Sequence, residues 1–316
     1  MTRYIGGRLL QASMVLWGAY TTAYLILYLL PGDPLSIMLN ASGVDVDSLS
    51  AADLARARSF YGLDRGMLAQ YFTLLWAALH GDFGNSLNEN VSVWSLISER
   101  LPQTLALGGL AITFSLLFGI GFAWVASYVT WQPLKSVLNR LPSLGFSIPI
   151  FWLGLLLIEI FAFRLGWFPS TGNDGFASLV LPAVTLSTPS MAVYAQVFIR
   201  GLNETWREPF IATAWAKGLT RAEIQRRHVF RNAILPVLTL VGMQIGHTVS
   251  GAVIIETLFA RAGIGRLVQE SVLRQDIPVV LAVVVLSATV FVLINLAIDL
   301  LYSLFDPRVA RAPRVT

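Results

Sequence analysis

Residues able to do chemistry are few in this chain. It has no cysteine, so disulfides, thiolate metal sites and cysteine nucleophiles are absent together. Its three histidines, His80, His228 and His247, stand far apart without the spacing of a metal-ligand cluster. A phosphate-cradling GxxxxGK[ST] loop needs a Gly-Lys pair, and the only lysines, Lys135 and Lys217, follow Leu134 and Ala216. Three acids, Glu159, Glu256 and Asp299, fall within or beside apolar runs, where a carboxylate is costly and must face protein, water or the interface. Glu256 and Asp299 lie near the ends of their runs, which leaves Glu159 as the candidate for lining a path. The densest group of charges is the interval Arg200 to Arg231. There Arg200, Arg207, Lys217, Arg221, Arg226, Arg227 and Arg231 face Glu204, Glu208 and Glu223, an excess of +4 that equals the formal charge of the whole chain. Such a segment is suited to binding, and no catalytic residues are expected.

The elements that must hold this segment are apolar. The chain is 55% hydrophobic and 13% charged, with a mean hydropathy of +0.67, a balance found in polytopic membrane proteins. Six stretches stand out: Leu9 to Leu30, Thr104 to Val129, Leu144 to Phe163, Leu179 to Ile199, Leu235 to Leu258 and Pro278 to Leu301. At 1.5 Å per residue each can cross a hydrocarbon core of about 30 Å. The expected fold is therefore all-α, a polytopic bundle of six transmembrane helices. Arg3 and Arg8 precede the first run, which is too long for a signal-peptide core, so it reads as an uncleaved helix. Lys and Arg concentrate in the N-terminal arm, in the loop with Lys135 and Arg140, in 200–233 and in the tail with Arg308, Arg311 and Arg314. Cytoplasmic loops are enriched in these residues, so both termini are expected in the cytoplasm. Topology accounts for the basic pI, and no nucleic-acid partner is implied. Against this, Arg261, Arg266 and Arg274 fall in the loop Phe259 to Ile277 on the outer side.

The segment 31–101 carries a net charge of about −4, consistent with the outer side. Helical spacing predicts two short helices, Asp53 to Tyr61 and Met67 to His80, lying on or near the outer surface and capping the bundle. Gly242, Gly246 and Ser250 lie on one helical face and predict close helix packing. In the cationic segment Pro209 suits the first turn of a helix and Gly218 its end, giving a helix from Pro209 to Lys217 and a second from Arg221. Phe210, Ile211, Ala214 and Lys217 to Gly218 recur at near one-turn intervals, an apolar anchor with small residues for a groove on a soluble protein. The alternative is an amphipathic helix lying on lipid. With no P-loop, no internal repeat and no cluster of intramembrane acids, any driving energy is expected from an ATP-hydrolysing partner.

Fragments along nearly the whole chain carry a resemblance: Pro31-Gly32-Asp33-Pro34, GLDRGMLAQY from Gly62, GDFGNSL from Gly81, ERLPQTLAL from Glu99, LGWFPSTG from Leu165, TAWAKGLT from Thr213, RNAILPVLT from Arg231 and INLAIDLLYSLFDPR from Ile294. In these the chain resembles the B-type permease subunits of the dipeptide, oligopeptide and nickel ABC importers. The resemblance implies a type I ABC importer permease architecture in the bacterial cytoplasmic (inner) membrane. It divides the chain into an N-terminus with first helix (1–30), an extracytoplasmic segment (31–101), a five-helix core (102–305) with coupling loop 200–233, and a tail (306–316). The loop around Thr213 to Leu219 corresponds to an EAA-type coupling helix that seats in a cleft of the ATPase, with Gly218 at the fixed glycine. The implied coupling set is Glu208, Phe210, Ile211, Thr213, Ala214, Lys217, Gly218 and Leu219. Implied partners are a homologous second permease subunit, two ATPase subunits that carry ATP and Mg, an extracytoplasmic substrate-binding protein and the lipid membrane. This chain itself is expected to bind no cofactor and no metal. Pro209, Ala212 and Trp215 depart from the family pattern, as does Arg261-Ala262-Gly263 in a loop expected to meet the binding protein. The expected cargo is di- or oligopeptides. Nickel, glutathione or another small solute is the alternative within the family, and a self-sufficient channel or gradient-driven carrier the alternative of another class.

Overall fold

The computed structural model of the chain describes residues 2–29, 35, 36, 39, 49–60, 64 and 66–305. The turn at 31–34, Tyr61, Arg65 and the segment 306–316 with its three arginines lie outside the described residues, as do the side chains of Arg3, Arg8, Phe60 and Asp299. Helices make up the regular structure: α1 (Thr2–Leu29), α2 (Ala51–Phe60), α3 (Met67–Leu79), α4 (Val93–Tyr128), α5 (Gln132–Ser147) and α6 (Ile150–Leu157), which runs on as a π-helix (Ile158–Arg164). Then come α7 (Ala177–Thr205), α8 (Pro209–Ala216), α9 (Arg221–Ile224), a π turn (Gln225–Val229), α10 (Phe230–Ala233), α11 (Leu235–Leu258), α12 (Ile264–Leu273) and α13 (Ile277–Phe305). Among the described residues five helices are long and apolar enough to cross a membrane, and six if the pair α5 and Ile150–Arg164 forms one span.

That pair corrects the third expected span. The run Leu144 to Phe163 is not one helix: its two halves meet at 98°. Ile148 and Pro149 are both extended, with ψ of 121° and 131°. A residue before proline is driven from the helical region by the ring's Cδ, so the break is local chemistry. The loop Phe259 to Ile277 is corrected too, because ten of its residues form α12.

Contacts divide the chain into two compact units, 1–102 with 266–316, and 103–265. In the first, α1 and α13 pack through Tyr20, Tyr24, Leu27, Ile277, Val280 and Leu281. Helix α3, expected on or near the outer surface, runs antiparallel against α1. The Tyr24 hydroxyl donates to the Met67 carbonyl at 2.9 Å, and one turn on, Thr21 Oγ1 meets the Tyr71 hydroxyl at 2.7 Å. Its other face, Leu68, Phe72, Trp76 and Leu79, is exposed. Buried Asp276, just before α13, accepts from Ser86 Oγ, from the backbone N–H of Leu87 at 3.1 Å and from Asn88 Nδ2 at 3.1 Å. This pins the loop ahead of α4 to the start of α13.

In the second unit α7 is central, with a core near each end. Leu181, Ala183 and Leu186 join Leu107, Ala111, Ala252, Ile255 and Phe259, while Tyr194, Phe198, Ile199 and Leu202 join Ala123, Ala126, Ile224, Val229 and Val237. Close approach depends on glycine: a Cβ on Gly145 of α5 would lie 2.8 Å from Ala192 Cβ, and on Gly251 of α11 2.9 Å from Leu186 Cδ1. The expected stripe of α11 has Gly242 buried, Gly246 half-buried and Ser250 exposed. The observed close approach is at Gly251.

Arg261 is the largest correction to the expected outer loop. It is 1% exposed, so it does not present itself to a binding protein. Its guanidinium donates to the carbonyl oxygens of Gly172 at 2.9 Å and Ser178 at 3.0 Å and to Gln103 Oε1 at 3.0 Å. Glu256, equally buried, accepts from Thr104 Oγ1 at 2.6 Å and from the Gly265 backbone at 2.7 Å. Burial lowers the pKa of the Arg261 guanidinium, and the Glu256 charge opposes that shift. Gly263 lies so close to the Glu256 carboxylate that an added Cβ would overlap it. Of the two other arginines that opposed the topology argument, Arg266 is paired to Glu270 at 2.8 Å, and Arg274 is exposed.

Candidate functional site

The cationic segment is built as two caps set back to back. Glu208, extended at φ −69° and ψ 142°, is followed by Pro209 at the first helical position, where the missing N–H has no intrahelical acceptor to lose. Eight residues later the helix closes in a Schellman motif. The N–H of Gly218 donates to the Trp215 carbonyl at 2.9 Å and that of Leu219 to the Ala214 carbonyl at 3.3 Å. Gly218 has φ +78°, and nothing lies within 4 Å of a Cβ placed on it, so the position requires glycine for conformation and not for room. Leu219 packs into the core beside Ala214, the apolar contact that accompanies such caps.

The next residue starts the next helix. Thr220 Oγ1 accepts from the Glu223 backbone N–H at 3.4 Å, and the Glu223 carboxylate accepts from the Thr220 backbone N–H at 2.9 Å, a capping box. The Thr220 backbone and hydroxyl hold the Glu223 carboxyl below the usual glutamate range, with Arg227 and Arg226 adding to the shift. Only Gly218 and Leu219 thus separate the C-cap Lys217 from the N-cap Thr220, which fixes the direction of α8.

Side chains from distant helices anchor this corner. Arg221 donates to the Ser127 carbonyl at 3.4 Å and lies over the rings of Trp206, at 5.0 Å, and Tyr128, at 5.5 Å. Gln225, wholly buried, donates to the Trp124 carbonyl and to Ser127 Oγ, both at 3.1 Å. The ends of α4 and α7 are therefore tied to the segment through polar contacts that the sequence pattern did not reveal. The sequence showed Arg221 only as one charge in a basic run, and no periodicity marks an Arg or Gln whose acceptors lie about a hundred residues away.

The expected contact set divides between two faces. Ile211 and Ala214 are each 5% exposed and lie in the chain's own core with Leu202 and Ile224. They hold α8 down and do not reach outward, which corrects the single outward face expected from spacing. Glu208, Phe210, Thr213, Lys217 and Gly218 are exposed and Leu219 is half-buried. Ala212 and Trp215, the departures from the family pattern, are exposed as well. Phe210, 38% exposed, has its ring 6.5 Å from His228. Arg207, Arg226, Arg227 and Arg231 of the same segment are exposed as well, so the patch belongs to a segment with exposed positive charge.

Glu159 is not brought to this site. It sits in the π-helical end of α6, 52% exposed, and accepts from Arg164 Nε at 3.0 Å. The i to i+5 bonding of a π turn brings residues five apart toward one face, which lets the pair form within the turn. No group of three or more histidine, aspartate or glutamate side chains able to hold a metal occurs among the described residues.

Three comparisons bear on the family of the chain. The profile of the family described as binding-protein-dependent transport system inner membrane component matches residues 111–311, which include the whole two-helix corner. The dipeptide transport system permease protein DppB of Escherichia coli (strain K12) is 32% identical, covering 92% of this chain and 94% of that protein. The oligopeptide transport system permease protein AppB of Bacillus subtilis (strain 168) is 32% identical, covering 98% and 99%. Among solved structures, an inward-facing form of the MetNI methionine ABC transporter aligns with a TM-score of 0.53 at 20% identity, covering 66% of this chain and 95% of that chain, a likeness of fold. The chain belongs to the family of binding-protein-dependent transport system inner membrane components.

Proposed function

We propose that this chain is the membrane-spanning permease subunit of an ATP-driven peptide importer, forming half of the translocation pathway and receiving mechanical work through α8. The observation that carries the reading is the back-to-back Schellman cap and capping box, which hold an exposed Phe210–Thr213–Lys217 face in a fixed direction above a buried Ile211–Ala214 anchor. A rigid, short, exposed helix is what a partner must grip to transmit a domain movement. ATP and Mg are carried by two ATPase subunits. A homologous second permease completes the pathway, and an extracytoplasmic binding protein delivers the solute. Both termini lie in the cytoplasm, on the side of the cationic segment. Peptides are the cargo named for the relatives DppB and AppB, which makes them the first solutes to try.

The test is dipeptide uptake into proteoliposomes holding this chain, the second permease, the ATPases and the binding protein, with each omitted in turn. Uptake that needs ATP and every component supports the reading. Uptake by this chain alone, without ATP, makes it a self-sufficient channel or gradient-driven carrier.

A further inference from the structure

A cavity of about 320 Å³ opens between α7 and α11, with Phe146 of α5 and Ile150 of α6 completing its wall. This is within the size range of small-molecule sites. Its walls are mostly apolar, but four polar residues converge in it: Ser190 from α7, and Gln244, His247 and Thr248 from α11. Gln244, His247, Thr248 and Gly251 stand at i, i+3, i+4 and i+7, one face of the helix. Both helices are candidate spans, Ala177–Thr205 and Pro236–Leu258, and these residues fall near the middle of each. Hydrogen-bonding side chains at that depth are costly unless they meet a partner, a ligand or water.

Only part of that capacity is used within the chain. The Ser190 hydroxyl donates to Gln244 Oε1 at 3.2 Å, and Thr248 Oγ1 donates to the backbone carbonyl of Gln244 at 2.9 Å. The Gln244 NH2 group and the His247 ring make no hydrogen bond among the described residues. Gly251 brings α11 so near Leu186 that a larger residue would narrow the cavity. No aspartate, glutamate, lysine or arginine lines it. Neutral donors and acceptors in an apolar wall suit amide groups, and they do not suit Ca2+ or Mg2+, which prefer carboxylate oxygens.

We infer that the α7–α11 cavity is a transient binding station for peptide amide groups in the translocation pathway, with Gln244 and His247 as the hydrogen-bonding residues. This rests on the reading of the chain as a peptide importer permease and names the residues of its path. A station of few neutral hydrogen bonds is weak, as conduction requires, because a solute held too tightly does not leave. The station is thereby placed on α7 and α11, and Glu159 does not line this cavity.

The experiment uses the complete complex in proteoliposomes with radiolabelled dialanine as probe. Gln244→Leu is expected to lower ATP-driven uptake about fivefold, the loss of roughly one hydrogen bond, while ATP hydrolysis stimulated by the loaded binding protein stays near wild type. Because the chain has no native cysteine, His247→Cys puts one thiol in it, and labelling of this subunit by a membrane-impermeant methanethiosulfonate reports that position. Dialanine is expected to slow that labelling, and Met243→Cys, which lies off the cavity on the same helix, is expected to show no such protection. Wild-type uptake with Gln244→Leu unchanged, or labelling of His247→Cys indifferent to dialanine, overturns this inference alone. Absence of ATP-driven uptake by the wild-type complex overturns both the inference and the functional reading beneath it.

Discussion

The backbone N–H of Leu219 donates to the carbonyl oxygen of Ala214 at 3.3 Å, and this bond turns the chain from one short helix into the next. It forms only if Gly218 holds a positive φ, here +78°. The direction of the exposed α8 face therefore depends on one backbone angle.

Substitutions at Gly218 should rank by backbone preference and not by size, since a Cβ there meets no neighbour. Gly218→Val should cost about 1–2 kcal/mol for the left-handed conformation and loosen the corner. Gly218→Asn should be milder, because Asn visits that region readily. Co-purification of the ATPase subunits with each variant checks the order. Equal losses for Asn and Val would point to sterics at a partner surface instead.

The capping box should be sensitive to acid. Glu223 has a folded-state pKa below its ordinary value, so its stabilising contribution is present above the ordinary glutamate pKa of about 4.3 and is lost as pH falls through the lowered folded value. Protection factors at 221–224, which compare amide exchange with the intrinsic rate at each pH, should therefore fall on acidification through that window. Glu223→Gln, which keeps a capping oxygen but does not titrate, should flatten the dependence. Thr220→Ala should cost about 1 kcal/mol of local stability at neutral pH.

Arg261→Ala should destabilise the chain by roughly 3 kcal/mol, because it strips donors from several buried acceptors and leaves Glu256 without the opposing charge. Arg261→Lys should recover only part of this, since one ammonium cannot reach Gly172, Ser178 and Gln103 together. Thermal unfolding of the purified chain in detergent is the readout. The same assay should show little effect for Arg274, which is exposed.

Asp276→Ala should release the loop that it holds through Ser86, Leu87 and Asn88. Limited proteolysis should cut between residues 81 and 92 faster in the variant than in the wild type.

The apolar spans and the two helices of the cationic segment were legible because their signals are local. Length and hydropathy mark the first, Pro209 and Gly218 the second. The break at Ile148–Pro149 had a local cue in the proline, but the surrounding apolar run concealed it and the stretch read as one span. Which face of α8 turns outward was not legible. Apolar side chains occupy both faces, Ile211 inside and Phe210 and Trp215 outside, and periodicity alone cannot choose between them. The burial of Arg261 was hidden for another reason. Its acceptors lie 83 to 158 positions away, so only the tertiary fold shows that this arginine is structural. The same is true of the α7–α11 cavity, where Ser190 and Gln244 are 54 positions apart.

The most direct measurement is peptide-stimulated ATP hydrolysis by the reconstituted complex with Thr213→Glu, a change at the centre of the exposed α8 face, where the Thr213 side chain makes no hydrogen bond among the described residues. The variant chain should still insert and pair with the second permease while stimulation falls about tenfold, a loss of some 1.4 kcal/mol of coupling. Stimulation equal to wild type would contradict a coupling role for α8.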